Sequence, residues 1–180
     1  METKRILMIV APERFRDEEF FRPREVFEKN GYDVVVGSTR LGKATGVKGG
    51  DVEVDVLIDG LSADDFDAVT IAGGGGSRAF LWDNPALHRL LNDAFSKGKI
   101  VSAICISPVV LAKAGLLKGK DSTVFDAPDA VEEMRKSGTN LKPEHVVRDG
   151  GIITGDGPEC AYDFGEEIVR ALENKPARNF

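Results

Sequence analysis

The stretch VSAICISPVVLAKAGLLKGK, residues 101–120, decides how the chain folds. Its apolar run stops at Cys105, meets Pro108 soon after and resumes with helical spacing. A buried strand therefore passes into a helix that proline can open, with a cysteine at the turn between them. Similar runs recur at RILMIV, YDVVVG, FDAVTIAG and GGIIT, most of them alternating with helical periodicity. Near-continuous Val and Ile runs are those of strands buried on both faces. The alternation predicts an α/β layer fold, a mainly parallel sheet with helices on both faces.

Working outward, PREVFEKNG predicts a helix with Pro23 in its first turn and Gly31 as its stop, which leaves ERFRDEEFF at the carboxyl edge of the first strand. The segment GVKGGDVEVDVLID, residues 46–59, alternates polar residues with Val. It predicts a small antiparallel hairpin beside the main sheet. SADDFD reads as a short capped turn, and Asn84 as the cap of a helix with Pro85 at its first position. PDAVEEMRKSG is an amphipathic helix, VVRDGGIIT a hairpin turning at Asp149 and Gly150, and GPECAYDFGEEIVRALEN the closing helix. The polar tail KPARNF, residues 175–180, is expected to be mobile.

The 180 residues, 42% hydrophobic and 30% charged, suit one globular domain spanning residues 1–180. Thirty acidic residues against twenty-four basic ones give a net charge of -6, so neither nucleic acid nor an anionic membrane is an expected partner. In RFRDEEFFRPR the arginines Arg14, Arg16, Arg22 and Arg24 are interrupted by Asp17, Glu18 and Glu19, which makes a self-compensating surface. The apolar run in METKRILMIVAP is too short for a signal segment or a membrane span, so a cytoplasmic protein is expected. Two distant cysteines without CxxC spacing give neither a disulfide framework nor a zinc knuckle; both are expected to be free thiols.

Ligands of open α/β sheets gather beyond the carboxyl ends of the strands. The acids after the first strand, the glycines after TIA and Cys105 after SAI converge there. A thiol at the positive end of a helix is expected to titrate below the ordinary value of about 8.5, as a nucleophile or redox centre would. The bland reading of any free cysteine is a small buried hydrophobe, which is the role expected for Cys160. Gly73 to Gly76 lack the Gly-Lys-Ser/Thr of a phosphate loop, and Arg78 stands where a dinucleotide fingerprint has its last glycine. They form either a tight turn or a set of backbone N–H groups aimed into a cleft. His88 and His145 lack the spacing of metal ligands, GxSxG is absent, and Ser107 reads as a helix cap. No metal and no cofactor is expected.

AIC-x-x-P followed by VVLAKAGLLKGK closely resembles the nucleophile elbow of the ThiJ/PfpI superfamily. FRDEEFFRP, FDAVTIAGG and the closing GP-x-x-x-x-x-FG-x-x-I occur in that family's order. The resemblance covers nearly the whole chain and implies a flavodoxin-like three-layer sandwich of the class I glutamine amidotransferase-like kind. It implies Cys105 as the elbow nucleophile and Glu19 as the acid bonded to its sulfur, with Glu18 as the fallback. Gly73 and Gly74 match the family's PGG turn, with Ala72 in place of proline. Their amides and that of Ile106 become candidate oxyanion donors.

Protease-type members carry His directly after the cysteine, where this chain has Ile106. Many relatives carry another His at the position of Phe125, and the deglycase branch has Arg where Asp156 precedes GP. The resemblance thus implies a cofactor-free thiol enzyme acting on α-oxoaldehydes or their adducts, as glyoxalase III and deglycase members do, through a Cys105–Glu19 pair. A redox-sensing stress protein with reversible Cys105 oxidation is the alternative, and a cysteine protease ranks last. The expected partners are a small reactive carbonyl or an oxidant, and a second copy of the chain in a homodimer or larger homo-oligomer.

Overall fold

Residues 6–9, 68–71 and 101–104 are buried along their whole length, as strands covered on both faces must be. The structure, a computed structural model, describes residues 2–178. From the amino end, β1 (Arg5–Ile9), β2 (Glu13–Phe15), α1 (Asp17–Lys29) and β3 (Asp33–Ser38) precede β4 (Gly42–Gly46), β5 (Asp51–Val54) and β6 (Val56–Leu57). Next come β7 (Ala68–Ile71), α2 (Gly76–Phe80), α3 (Pro85–Ser96), β8 (Ile100–Ile104) and α4 (Pro108–Lys113). The chain continues through β9 (Asp121–Ser122), α5 (Pro128–Lys136), β10 (Asn140–Leu141), β11 (Val146–Asp149), β12 (Ile152–Gly155) and α6 (Ala161–Leu172).

Seven strands form the central sheet in the order β11-β12-β8-β7-β1-β3-β6, parallel throughout except for the β11–β12 hairpin. The chain leaves β1 for β3 on one side and later crosses to β7 and β8 on the other. Right-handed crossovers then put α1 and α3 on opposite faces. α6 packs beside α1, and α4 beside α3, which completes a flavodoxin-like α/β sandwich. The α1–α6 contact is close: a Cβ on Gly165 would come within 3.0 Å of the Pro23 Cα. Among the described residues no helix is long and apolar enough to cross a membrane.

Several local expectations are met. Asn84 accepts a hydrogen bond from the Leu87 N–H at 3.0 Å and caps α3, whose Leu87, Leu90, Leu91 and Ala94 face the core. Ser62 caps the short turn at residues 63–65. The hairpin beside the main sheet begins earlier than the alternation indicates, with β4 and β5 antiparallel and β2 paired to β4; β6 leaves it to join β3.

Other expectations are corrected. α1 begins at Asp17, not at Pro23, so the acidic segment is its first turn and complements the helix dipole. Pro23 lies inside the helix, where its missing N–H leaves the Glu19 carbonyl without the usual helical partner. Cys160 is the N-cap residue of α6, not a residue within it. The polar tail's expected mobility is untouched by these contacts: Arg148 and Arg170 donate to the carbonyls of Lys175 and Pro176 at 2.8 and 2.7 Å, and Arg178 pairs with Glu166. The rest of the polar tail lies outside the described residues.

Candidate active site

β1, β7 and β8 end level, with Ile9 paired to Ile71 and Ile71 to Ala103. Because the chain departs from β1 toward β3 while β7 lies on its other side, a crevice opens beyond these ends. The residues around β2 cross it. The Arg16 N–H donates to the Gly73 carbonyl at 2.9 Å, locking the crossing segment to the turn after β7. Gly74 has φ +100, and a Cβ there would lie 2.4 Å from both the Arg14 oxygen and the Arg16 nitrogen. Only glycine fits that crossing.

Cys105 itself has φ 65, a left-handed conformation that costs a residue with a Cβ about 1–3 kcal/mol. Surrounding hydrogen bonds hold it there. Its N–H donates to the Gly155 carbonyl at 2.9 Å and its carbonyl accepts from the Phe125 N–H at 2.8 Å. The Trp82 indole donates to the Ile106 carbonyl at 3.0 Å. Ser107 does not cap α4 with its hydroxyl; it donates to the Ala72 carbonyl at 2.7 Å and meets Ser77 at 2.8 Å. That buried pair of hydroxyls fastens the elbow to the end of β7.

Glu19, in the first turn of α1, points inward and is 1% exposed. A Cβ on Gly73 would lie 2.5 Å from its Oε1 and 2.6 Å from the Cys105 Cβ, so the carboxyl and the cysteine face each other across the space left by a missing side chain. Neither Glu19 oxygen has a partner in hydrogen-bond geometry. Burial lifts its pKa from 4.5 to about 8, although the nearby Cys105 thiol, Arg16 and the Gly73 N–H all favour the charged form. Glu18 faces outward. Burial would raise it too, but Lys48, backbone N–H and Arg16 outweigh that and bring it down to about 2. Of the two acids, Glu19 is the one brought to the sulfur.

The thiol departs from expectation. Burial pushes Cys105 up to about 12, and the adjacent Glu19 carboxylate acts in the same direction by charge repulsion; the N–H groups of Gly74 and Ile106 pull the other way without prevailing. α4 is only six residues long, so its dipole is weak against that desolvation. Burial thus keeps the proton on both groups, on the carboxyl up to about 8 and on the thiol up to about 12. Cys160, whose sulfur lies 3.2 Å from the Gly157 carbonyl, is likewise buried and pushed up to about 11.

A cleft of about 310 Å³ opens over the sulfur. Gly74, Gly75 and Cys105 form its floor, Val47, Ile106, Phe125 and Pro158 its apolar sides, and Arg16 and Arg78 its charged ones. Val47 is brought there by the hairpin turn, where Asp17 accepts from the N–H groups of Lys48 and Gly50 at 2.9 and 2.7 Å. The N–H groups of Gly74 and Ile106 approach the sulfur, whereas that of Gly73 lies beside Glu19, away from the cleft wall. The family resemblance groups all three as candidate oxyanion donors, and the sequence reading gives Arg16 and Arg78 no role in the site. Their nearness to Glu19 and to the glycine turn in the chain was the available signal.

Neither histidine lines the cleft. His88 meets the Trp82 carbonyl at 2.8 Å. His145 pairs with Asp156 at 2.8 Å in a separate cavity of about 330 Å³ that shares Phe125 and Pro158 as a wall. Among the described residues no three His, Cys, Asp or Glu are grouped to hold a metal ion.

An open α/β sandwich with a cysteine in left-handed conformation between strand and helix, backed by a buried glutamate, defines a class of elbow-thiol proteins. The chain belongs to the DJ-1/PfpI family, whose pattern matches residues 4–171. It is 46% identical over 173 residues to an uncharacterized protein of Methanocaldococcus jannaschii, covering 96% of this chain and 84% of that one. A protein of Pyrococcus horikoshii named a deglycase is 30% identical over 169 residues, covering 94% of this chain and 99% of its own. Among solved structures, a ThiJ/PfpI domain protein from Brachyspira murdochii superposes with a TM-score of 0.92 at 33% identity, covering 98% of this chain and 100% of that one.

Proposed function

We propose that this protein is a cysteine-dependent enzyme acting on α-oxoaldehydes or their adducts, with Cys105 as nucleophile and Glu19 as its proton carrier. The observation that carries the proposal is the buried, unpartnered Glu19 carboxyl held against a cysteine in left-handed conformation. A carboxyl that gives up its proton near pH 8, set against a thiol, places a base beside a nucleophile. The deglycase name of the Pyrococcus relative supports a carbonyl substrate.

Glu19 takes the thiol proton as the sulfur attacks the aldehyde carbon. A C–S bond forms, the carbonyl π pair moves to oxygen near the N–H groups of Gly74 and Ile106, and Glu19 returns the proton to give a hemithioacetal. Proton transfer through an enediol then turns an α-oxoaldehyde adduct into a 2-hydroxy thioester, which water cleaves to a 2-hydroxy acid and the free thiol. The aldehyde carbon is oxidised and its neighbour reduced, so water alone balances the sequence. An aldehyde is a far stronger electrophile than an amide and releases no amine in these steps. Peptide hydrolysis needs an acid for the departing amine, and Ile106 and Phe125 occupy the places where relatives carry imidazoles.

A second reading rests on the same carboxyl. Protonated up to about pH 8, Glu19 can donate a hydrogen bond to a Cys105 sulfur oxidised by peroxide, as a redox sensor requires. Turnover of methylglyoxal by the purified protein, lost in Cys105→Ser, supports the enzyme. Peroxide oxidation of Cys105 without any turnover supports the sensor instead.

A further inference from the structure

The cleft carries two guanidinium groups that the proposed reaction does not use. Arg16 gives its Nε to Glu18 at 2.8 Å, and Arg78 gives Nε and Nη2 to Asp129 at 2.6 and 2.9 Å. Each carboxylate occupies one edge of its guanidinium and fixes the plane of the rest. Among the described residues no acceptor meets Nη1 or Nη2 of Arg16, or Nη1 of Arg78. Arg78 also lies over the Trp82 ring, 5.4 Å from its centroid, and Trp82 holds the elbow through the Ile106 carbonyl. The guanidinium and the sulfur are therefore positioned by one residue.

Both arginines line a cleft whose other side-chain walls are apolar, where the attraction of a cation for an anion is stronger than in open water. A planar fork of N–H donors matches a carboxylate. Once Glu19 ionises it puts a negative charge beside Cys105, and an anionic guest needs cations nearby; a neutral aldehyde does not. We propose that the substrate is a small carbonyl compound that also bears a carboxylate, which Arg16 and Arg78 seat while its carbonyl carbon faces Cys105. This inference rests on the reading of Cys105 as nucleophile and makes the two arginines determinants of specificity.

Iodoacetate and iodoacetamide test it, since both lose iodide to an attacking sulfur and differ mainly in charge. Rates are read at Cys105 by peptide mapping, and their ratio is compared with that of 2-mercaptoethanol. The wild-type ratio of iodoacetate to iodoacetamide is expected to exceed the free-thiol ratio by roughly fivefold, the effect of a partly exposed unit charge close by. Arg16→Gln combined with Arg78→Gln, with Asp129→Asn added to remove its exposed carboxylate, should return the ratio to the free-thiol value; lysine at both arginine positions should keep most of the preference. A wild-type ratio no higher than that of the free thiol, or one that survives loss of both arginines, overturns the inference. Methylglyoxal turnover with an ordinary ratio refutes the carboxylate seat alone. A raised ratio without Cys105-dependent turnover of any aldehyde refutes the reaction and leaves the anion seat standing.

Discussion

Replacing Glu19 by glutamine should change how stability depends on pH, in a direction and by an amount fixed by the burial of this carboxyl. In the folded protein Glu19 holds its proton up to about pH 8, against an ordinary value of 4.5. Below the lower value both folded and unfolded chains are protonated and the group has no effect. Between the two values the unfolded chain releases a proton that the folded chain keeps, so the wild type loses stability as pH rises; above about 8 the loss is complete and constant. At about 1.4 kcal/mol per tenfold difference in proton affinity, that gap amounts to roughly 5 kcal/mol. The amide introduced by Glu19→Gln does not ionise, so the stability of the variant relative to wild type should rise by up to that amount between about pH 4 and about pH 9. Urea unfolding of both proteins across the range measures it, with Glu19→Leu as a second variant free of the amide. The slope of the difference is the test, because an unpartnered amide shifts the whole curve without bending it. Parallel curves for wild type and both variants would refute a raised Glu19.

Three further outcomes follow from the same geometry. Alkylation of Cys105 by iodoacetamide should rise with pH through about 8, where Glu19 ionises and can take the thiol proton, and Glu19→Gln should abolish that step; a pH-independent rate in the wild type contradicts that role. Gly74→Ala puts a Cβ into backbone at 2.4 Å with φ +100 and should cost more than about 3 kcal/mol in urea unfolding, whereas Gly75→Ala, with nothing within 4 Å, should stay within about 0.5 kcal/mol. Peptide substrates should show no Cys105-dependent cleavage, and a Cys105→Ser-sensitive peptidase activity would show that an imidazole reaches the cleft.

The elbow was legible because its signals are local: an apolar run ending at Cys105 with Pro108 close behind can only be a strand feeding a helix. The sheet was legible for the same reason, its Val and Ile runs being buried on both faces. What stayed hidden depends on partners distant in the chain. Pro23 reads as a helix start, yet α1 continues back to Asp17, whose carboxylate accepts from the N–H groups of Lys48 and Gly50 far along the chain. The Ser107 hydroxyl prefers the Ala72 carbonyl to its own helix, which no spacing reveals. Glu18 and Glu19 are adjacent and alike in sequence; the orientation of the first turn sends one to Lys48 and the other to the sulfur. Dipole reasoning gave the wrong direction for the thiol because desolvation arises from packing, which the neighbouring letters do not encode. Arg78 acquires its meaning from Asp129 and Trp82, the first of them far along the chain.

The central claim, that Cys105 and Glu19 act as one chemical unit on a carbonyl carbon, is tested most directly by steady-state turnover of methylglyoxal in wild type, Cys105→Ser and Glu19→Gln. Each variant should be checked for an intact fold by circular dichroism. Both substitutions are predicted to lower kcat at least about a hundredfold, the usual contribution of a positioned proton carrier or more. Turnover that persists in Cys105→Ser, or that is unchanged in a folded Glu19→Gln, would contradict it.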